Sequence, residues 1–328
     1  MRHLTAALLA ATALVAAPPV GPAIAQNAAG ATPAAADTAM GRFYPVVREP
    51  AAGLPDHTVF RPADLREFPR RSLPVVFWAN GACSPSNFGF TFLGTILAAH
   101  GFVVVANGAY DARPASGTVT PSNLTDAIDW ATGQESAYRQ AGGQDAGGDA
   151  SEGDARTQFR GRLDPTRIAV AGQSCGGLEA LVAGADARVK TVMAFNTGFF
   201  PTPLNGYGRE QLQNLRVPVL IADGGPTDNA YQNSIDNYDI LVAQGTPAYY
   251  ASNANAGHSG LWYGIVNGVG NTYVLAESER LSVNWLDYLL NENAAAGQYF
   301  FGPSCQVCNA NRDPYGVWTS RTNIQVAQ

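Results

Sequence analysis

Basic charge is scarce in this chain. Its 328 residues carry 20 Lys and Arg against 26 Asp and Glu, a formal charge of −6, and Lys190 is the single lysine. No basic cluster occurs, which argues against nucleic acid and anionic membrane surfaces as partners. The apolar run Leu4 to Ala17 is too short for a spanning helix, which needs ~20 residues, and no other stretch reaches that length. Cysteine and histidine are equally sparse, at four each. No second Cys-x-x-Cys and no histidine pair accompanies Cys305-Gln306-Val307-Cys308, so a zinc site is not expected, and neither is a metal or organic cofactor of any other kind. No internal repeat breaks the chain into units.

The amino-terminus reads as a targeting segment. Arg2 and His3 precede the apolar run, and Ala23-Ile24-Ala25 is a small-x-small cleavage signal. The expectation is a signal peptide over 1–25, cut after Ala25, and a secreted or periplasmic monomer. With no cysteine at the cut, no lipid anchor to a membrane is expected. An Ala-rich stretch, 26–41, forms a flexible leader. Export makes the four cysteines candidates for disulfides, with three connectivities open.

From residue 42 to 300 the pattern is that of one domain. The β-type stretches Tyr44–Val47 and Thr58–Phe60 suit antiparallel edge strands. Apolar runs at Leu73–Trp78, Phe102–Ala106, Ile168–Ala171, Val189–Phe195, Val217–Ala222 and Pro247–Ala251 read as buried strands. Helical spacing separates them over Gly89–His100, Ser122–Arg139, Tyr231–Val242 and Ala276–Asn291. Strands that are apolar throughout and alternate with helices imply a parallel sheet covered on both faces, with ligand chemistry at the strands' carboxyl ends. The Gly- and Asp-rich segment 140–157 reads as a surface loop insertion, and 301–328 as a tail holding the Cys-x-x-Cys pair.

Ile168-Ala169-Val170-Ala171-Gly172-Gln173-Ser174-Cys175-Gly176 is the pattern around which the chemistry is organised. A buried strand enters G-x-S-x-G and a helix follows, the context of a nucleophile elbow. The alternative is a Gly-rich turn whose serine only caps the helix. A serine needs a base, and in this arrangement acid and base follow it in the order Ser, Asp or Glu, His. Only His258 lies after Ser174, in the loop Asn255–Gly260. Two carboxylates follow the strand Val217–Ala222. Asp228 is carried outward by the Gly224-Gly225-Pro226 turn and is the favoured acid; Asp223 suits a turn residue bonded to the loop backbone.

The oxyanion would be held by the N–H of Cys175 and by one from the loop Asn80-Gly81-Ala82-Cys83, for which Ala82 is the candidate. Each donor has a cysteine at or beside it. Two loops that reach one oxygen lie within disulfide range, so the expected pairs are Cys83–Cys175 and Cys305–Cys308. The connection Asn196–Arg216 is too short for a cap domain. That leaves an open cleft rimmed by Asn196, Phe199, Phe200, Trp262 and Tyr263, of which Asn196, Phe199 and Trp262 are the chosen substrate-binding candidates.

Between Leu73 and Leu290 the chain resembles secreted α/β-hydrolases of the serine-esterase type, near the dienelactone-hydrolase-like and polyester-hydrolase (cutinase-like) branch. The resemblance rests on Asn80-Gly81, Asp164 through Gly177, the Gly224-x-x-x-Asp228 spacing and Gly257-His258. It implies an α/β-hydrolase fold without a cap domain, a Ser174–His258–Asp228 triad, and hydrolysis of small-molecule or polymer-attached carboxylic esters through an acyl-enzyme. The chain departs from polyester-degrading members in having no aromatic residue after Gly81 and Cys175 where methionine is common. It departs from dienelactone hydrolase in having serine as the nucleophile. A polyester hydrolase, a peptidase or acyltransferase using the same three residues, and a catalytically silent binding protein remain the alternatives.

Overall fold

The structure is a computed structural model that describes residues 37–38, 41–140, 159, 161–263, 265–266, 269–270, 272–308 and 318–325. The signal peptide, most of the Ala-rich leader and nearly all of the insertion 140–157 lie outside the described residues. At the leader's end Asp37–Thr38 pairs antiparallel with Gly41–Arg42.

Nine strands form the main sheet, and we number them in chain order: β1 (Val46–Pro50), β2 (His57–Pro62), β3 (Leu73–Ala79), β4 (Val103–Asn107), β5 (Leu163–Gln173), β6 (Val189–Phe195), β7 (Val219–Asp223), β8 (Ala248–Asn253) and β9 (Trp318–Thr322). Their spatial order is β1-β2-β4-β3-β5-β6-β7-β8-β9. Strands β4 to β8 and β3 run parallel, with antiparallel pairs β1–β2, β2–β4 and β8–β9 at the edges. The helices are α1 (Thr91–Ala99), α2 (Ser122–Gln140), α3 (Cys175–Ala183), α4 (Tyr231–Ala243), α5 (Gly257–Tyr263), α6 (Thr272–Leu290) and α7 (Ala294–Gly297).

The apolar strands sort their side chains strictly between two cores. Val75, Phe77, Val103, Val105, Ile168, Val170, Val192, Val219 and Ile221 meet Leu124 and Ile128 of α2, Leu178 and Leu181 of α3 and Leu241 of α4. Their immediate neighbours Val76, Trp78, Val104, Ala169, Ala171, Met193, Phe195 and Leu220 meet Leu93 and Leu97 of α1 and Leu281, Trp285 and Leu286 of α6. The period-two alternation of a strand makes this unavoidable: a run apolar at every position needs helices on both faces. Two indole N–H groups that enter the second core are partnered. The Trp285 indole donates to Thr191 Oγ1 at 2.8 Å, and Trp78 donates to Asn80 Oδ1 at 3.1 Å.

Two elements differ from the expectation. The tail contributes β9, which pairs with β8 from Tyr249↔Thr322 to Asn253↔Trp318, so the sheet continues past residue 300. Trp318 is buried in the second core, whereas Ser320, Arg321 and Thr322 are partly or fully exposed, and this polar edge carries little strand signal. His258 lies in α5 rather than in a loop, in a helix too short and Gly-rich to show a helical period.

What positions a site is the change of direction at the centre of the sheet. From β3 the chain moves through α1 on one face to β4. From β5, on the other side of β3, it moves through α3 on the opposite face. The carboxyl ends of β3 and β5 are thus adjacent while their outgoing loops diverge, the arrangement at which open α/β sheets place their ligand chemistry.

Glu179 of α3 sits wholly inside the first core region, with Oε1 accepting from the Thr120 N–H at 2.8 Å. Burial pushes its carboxyl up to about 7, against the Thr120 N–H and the Asn123 side chain, which favour the ionised form. The native state therefore keeps a proton that the unfolded chain releases near its ordinary value of 4.5. Stability contributed by the protonated form is complete below that value and is lost as pH rises through about 7. Glu179→Gln should remove this loss: in urea unfolding, its stability relative to wild type should rise by roughly 2–3 kcal/mol between pH 5 and pH 8.

Candidate active site

Ser174 stands at the turn between β5 and α3 with φ 53° and ψ −119°, a conformation disfavoured for any residue with a side chain. The surrounding backbone holds it there. Its N–H donates to the Phe195 carbonyl at 2.8 Å, and its carbonyl accepts from Gly177 N–H at 3.0 Å and Thr197 Oγ1 at 2.7 Å. The two glycines of G-x-S-x-G mark backbone crossings. A Cβ on Gly172 would overlap the Gly176 carbonyl, and one on Gly176 would overlap the Ala79 carbonyl at the end of β3. The elbow is therefore pressed directly against the neighbouring strand, which only glycine permits.

His258 comes from the far side of β7, at the second residue of α5. Its Nε2 lies 3.0 Å from Ser174 Oγ, and its Nδ1 lies 2.6 Å from Asp228 Oδ1. A carboxylate facing Nδ1 assigns the proton to that nitrogen and leaves Nε2 to accept from the serine hydroxyl. The Gln173 side chain pins the histidine backbone, donating to the His258 carbonyl at 3.0 Å.

Asp228 is buried in the turn that follows β7. Oδ1 accepts from His258 and from the Ala230 N–H at 2.9 Å; Oδ2 accepts from Asn196 Nδ2 at 2.6 Å and the Gly224 N–H at 3.0 Å. Burial by itself would raise this carboxyl, but the donors from His258, Gly224, Ala230 and Asn196 outweigh it and hold it below the ordinary carboxylate range. Asp223 behaves oppositely. It points away from His258, its Oδ1 accepting from the Gly225 N–H at 2.9 Å and Ser252 Oγ at 2.6 Å, and burial pushes it up to about 6. Of the two carboxyls, Asp228 alone meets the imidazole.

The loop after β3 turns at Gly81–Cys83, where Ala82 (φ 56°, ψ 15°) and Cys83 (φ 46°) are successive left-handed residues. Asn80 anchors it, donating through Nδ2 to the Ser84 and Asn107 carbonyls at 3.1 and 2.7 Å. The Gly117 N–H holds the Ala82 carbonyl at 2.9 Å. Cys83 is bonded to Cys175, with their Cα atoms 5.1 Å apart, and Cys305 to Cys308. The first bond joins the Ala82 loop to the first residue of α3, where the N–H has no acceptor within the helix. All four cysteines are paired, which fits the oxidising setting of a secreted or periplasmic protein.

The residues expected to bind substrate are placed elsewhere. Asn196 is fully buried and spends its amide on Asp228 and the Gly257 carbonyl. Phe199 is in the first core, its backbone clasped by the Asn237 side chain at 2.8 and 3.0 Å. Trp262 packs in the second core on Phe195 and Trp78, with ring centroids 4.3 and 5.0 Å away. None of the three lines a cleft. Phe200 is exposed, and the Tyr263 side chain lies outside those described. Gln173 and Thr197, which hold His258 and Ser174, carry no pattern by which sequence could have found them.

Among the described residues, no group of three or more His, Cys, Asp or Glu is placed to hold a metal ion, and no helix is long and apolar enough to cross a membrane. In comparisons with known proteins, no family model and no curated protein matches the chain.

The Cys83–Cys175 bond closes a loop of 92 residues. A Cys83→Ala/Cys175→Ala variant should lose roughly 2–4 kcal/mol in urea unfolding relative to wild type. Digestion without reductant should return Cys83 and Cys175 in one linked peptide; a Cys83 peptide linked to Cys305 would refute the pairing.

Proposed function

We propose that the chain is an exported serine hydrolase of the α/β-hydrolase type, cleaving carboxylic esters through an acyl-enzyme intermediate. One observation carries this reading: the unbroken hydrogen-bonded series from Asp228 to His258 to Ser174 Oγ, at 2.6 and 3.0 Å. It stands at the carboxyl ends of a mostly parallel sheet, where the Ser, Asp, His chain order draws on the turns after β5 and β7 and on the start of α5. The strand order and the short β6–β7 connection, with the single 3-10 helix Arg209–Asn214, agree with a fold of that type lacking a cap.

The chemistry follows from the placement. Ser174 Oγ attacks the ester carbonyl while His258 Nε2 takes its proton, and the carbonyl oxygen gains negative charge. The N–H groups of Ala82 and Cys175 receive that charge. The Cys175 donor also carries the partial positive charge of the α3 amino-terminus. Collapse of the tetrahedral intermediate expels the alcohol, protonated by His258, and leaves the acyl group on Ser174. Water, deprotonated by His258, then attacks the acyl-serine, and its breakdown returns the proton to Oγ and releases the acid. Asp228 remains ionised throughout and stabilises the imidazolium formed in each half-reaction.

With p-nitrophenyl acetate and butyrate, wild-type protein should turn over and Ser174→Ala should lose roughly 10⁴-fold or more in kcat. A fluorophosphonate should label wild type at Ser174 and leave Ser174→Ala unlabelled. Equal slow hydrolysis by both proteins would defeat the reading. Asp228→Asn should cost on the order of 10⁴ in kcat and Asp223→Asn on the order of tenfold or less. The reverse ranking would make Asp223 the acid.

A further inference from the structure

Asn196 is the first residue past β6 and adopts φ 49°, uncommon for a residue with a side chain. Its N–H donates to the Ala222 carbonyl of β7 at 2.7 Å, so its Cα is fixed beside the strand that leads to Asp228. The side chain has no access to solvent. Its Nδ2 reaches two acceptors, Asp228 Oδ2 at 2.6 Å and the Gly257 carbonyl at 3.2 Å. Both partners can only accept, so the nitrogen must be the atom that faces them. Oδ1 is then left buried with no hydrogen-bond partner. Such an orphan costs free energy, and no hydrogen bond of Oδ1 accounts for the amide's placement.

The two acceptors explain it better. Asp228 is the acid, and Gly257 is the residue before His258. One NH2 group therefore spans the loop that carries the acid and the segment that carries the base. A second link runs parallel to it, from the Gly257 N–H to the Gly224 carbonyl at 2.8 Å. Gly224 and Gly257 touch so closely that a Cβ on Gly224 would overlap the Gly257 backbone. Asn196 is the side-chain member of this junction, and besides His258 it is the other side chain that donates to Asp228.

We propose that Asn196 is a positioning residue for the reaction, setting the distance and angle between Asp228 and His258 without touching substrate; this rests on the serine-hydrolase reading above. It works through Oδ2, keeping the carboxylate turned so that Oδ1 faces the imidazole. Its donated hydrogen bond also lowers the basicity of this buried carboxylate. Without that donor the Asp228 carboxylate would hold a proton more tightly.

The experiment uses the full chain and p-nitrophenyl acetate. Asn196→Ala should lower kcat by roughly 10–100-fold with KM within about twofold of wild type. The acid limb of its kcat/KM profile should move to higher pH. Combined with Asp228→Asn, the substitution should add less than about twofold, because its effect passes through the carboxylate that is gone. A packing role alone predicts instead that the two losses multiply and that the limb stays in place, and either finding would overturn the proposal. Should Asn196→Ala fail to fold, Asn196→Leu nearly keeps the shape and removes the donor, and the same cycle applies. A wild-type protein that neither hydrolyses the ester nor takes up fluorophosphonate would overturn the serine-hydrolase reading, and this inference with it. Normal wild-type turnover with an unaltered Asn196 variant would remove the inference alone.

Discussion

A carboxylate that leaves water must find in the protein the hydrogen bonds it gives up. Asp228 is buried and ionised, and its four acceptor positions are filled from four places: His258 in α5, Asn196 after β6, Gly224 directly after β7 and Ala230 ahead of α4. Missing any one of these would leave part of a desolvated charge uncompensated, a cost of the order of 1–3 kcal/mol. The ends of three neighbouring strands are consequently tied to one small group. Asp223, five residues earlier, shows the contrasting outcome. With fewer donors it rises to about 6, and it is turned toward Ser252 rather than toward the imidazole.

The serine side of the site depends on a different kind of constraint. Ser174, Ala82 and Cys83 all have left-handed backbones, which cost energy wherever a Cβ is present. That cost is borne by the sheet. Parallel strands β3, β5 and β6 fix Ala79, Gln173 and Phe195 side by side, with pairings Ala79↔Gly172 and Gln173↔Phe195, and the strained turns hang from those fixed points. Two well-packed cores beneath them provide the rigidity, since neither face of the sheet can yield without exposing apolar side chains.

Much of this was legible from residue patterns because backbone geometry leaves few options. Apolar runs unbroken by polar residues require a two-faced parallel sheet, and G-x-S-x-G after such a run requires close backbone crossings at Gly172 and Gly176. Chain order singled out His258, and a turn's length separated Asp228 from Asp223. What stayed hidden was the direction of individual side chains. Asn196, Phe199 and Trp262 sit near the strands' carboxyl ends, where a polar or aromatic residue can face a cleft or the interior with equal local propensity. Only the packed neighbours, Asp228 for the first, Asn237 for the second, Phe195 and Trp78 for the third, decide. The ninth strand escaped notice for a related reason: an edge strand of Trp-Thr-Ser-Arg-Thr buries one large side chain and shows no period.

The Cys83–Cys175 bond closes a covalent ring that holds two of the sheet's nine strands, β4 and β5. It links the ends of β3 and β5, and the chain between them runs through α1, β4, α2 and the Gly- and Asp-rich stretch 140–157. A single backbone cleavage inside that circuit would open the ring without dividing the molecule. Both pieces would stay threaded through the same sheet, with Ala82 and Ser174 still on either side of the sulfur bridge. A cut in that circuit is thus held closed by the same bond that joins the Ala82 loop to the serine turn.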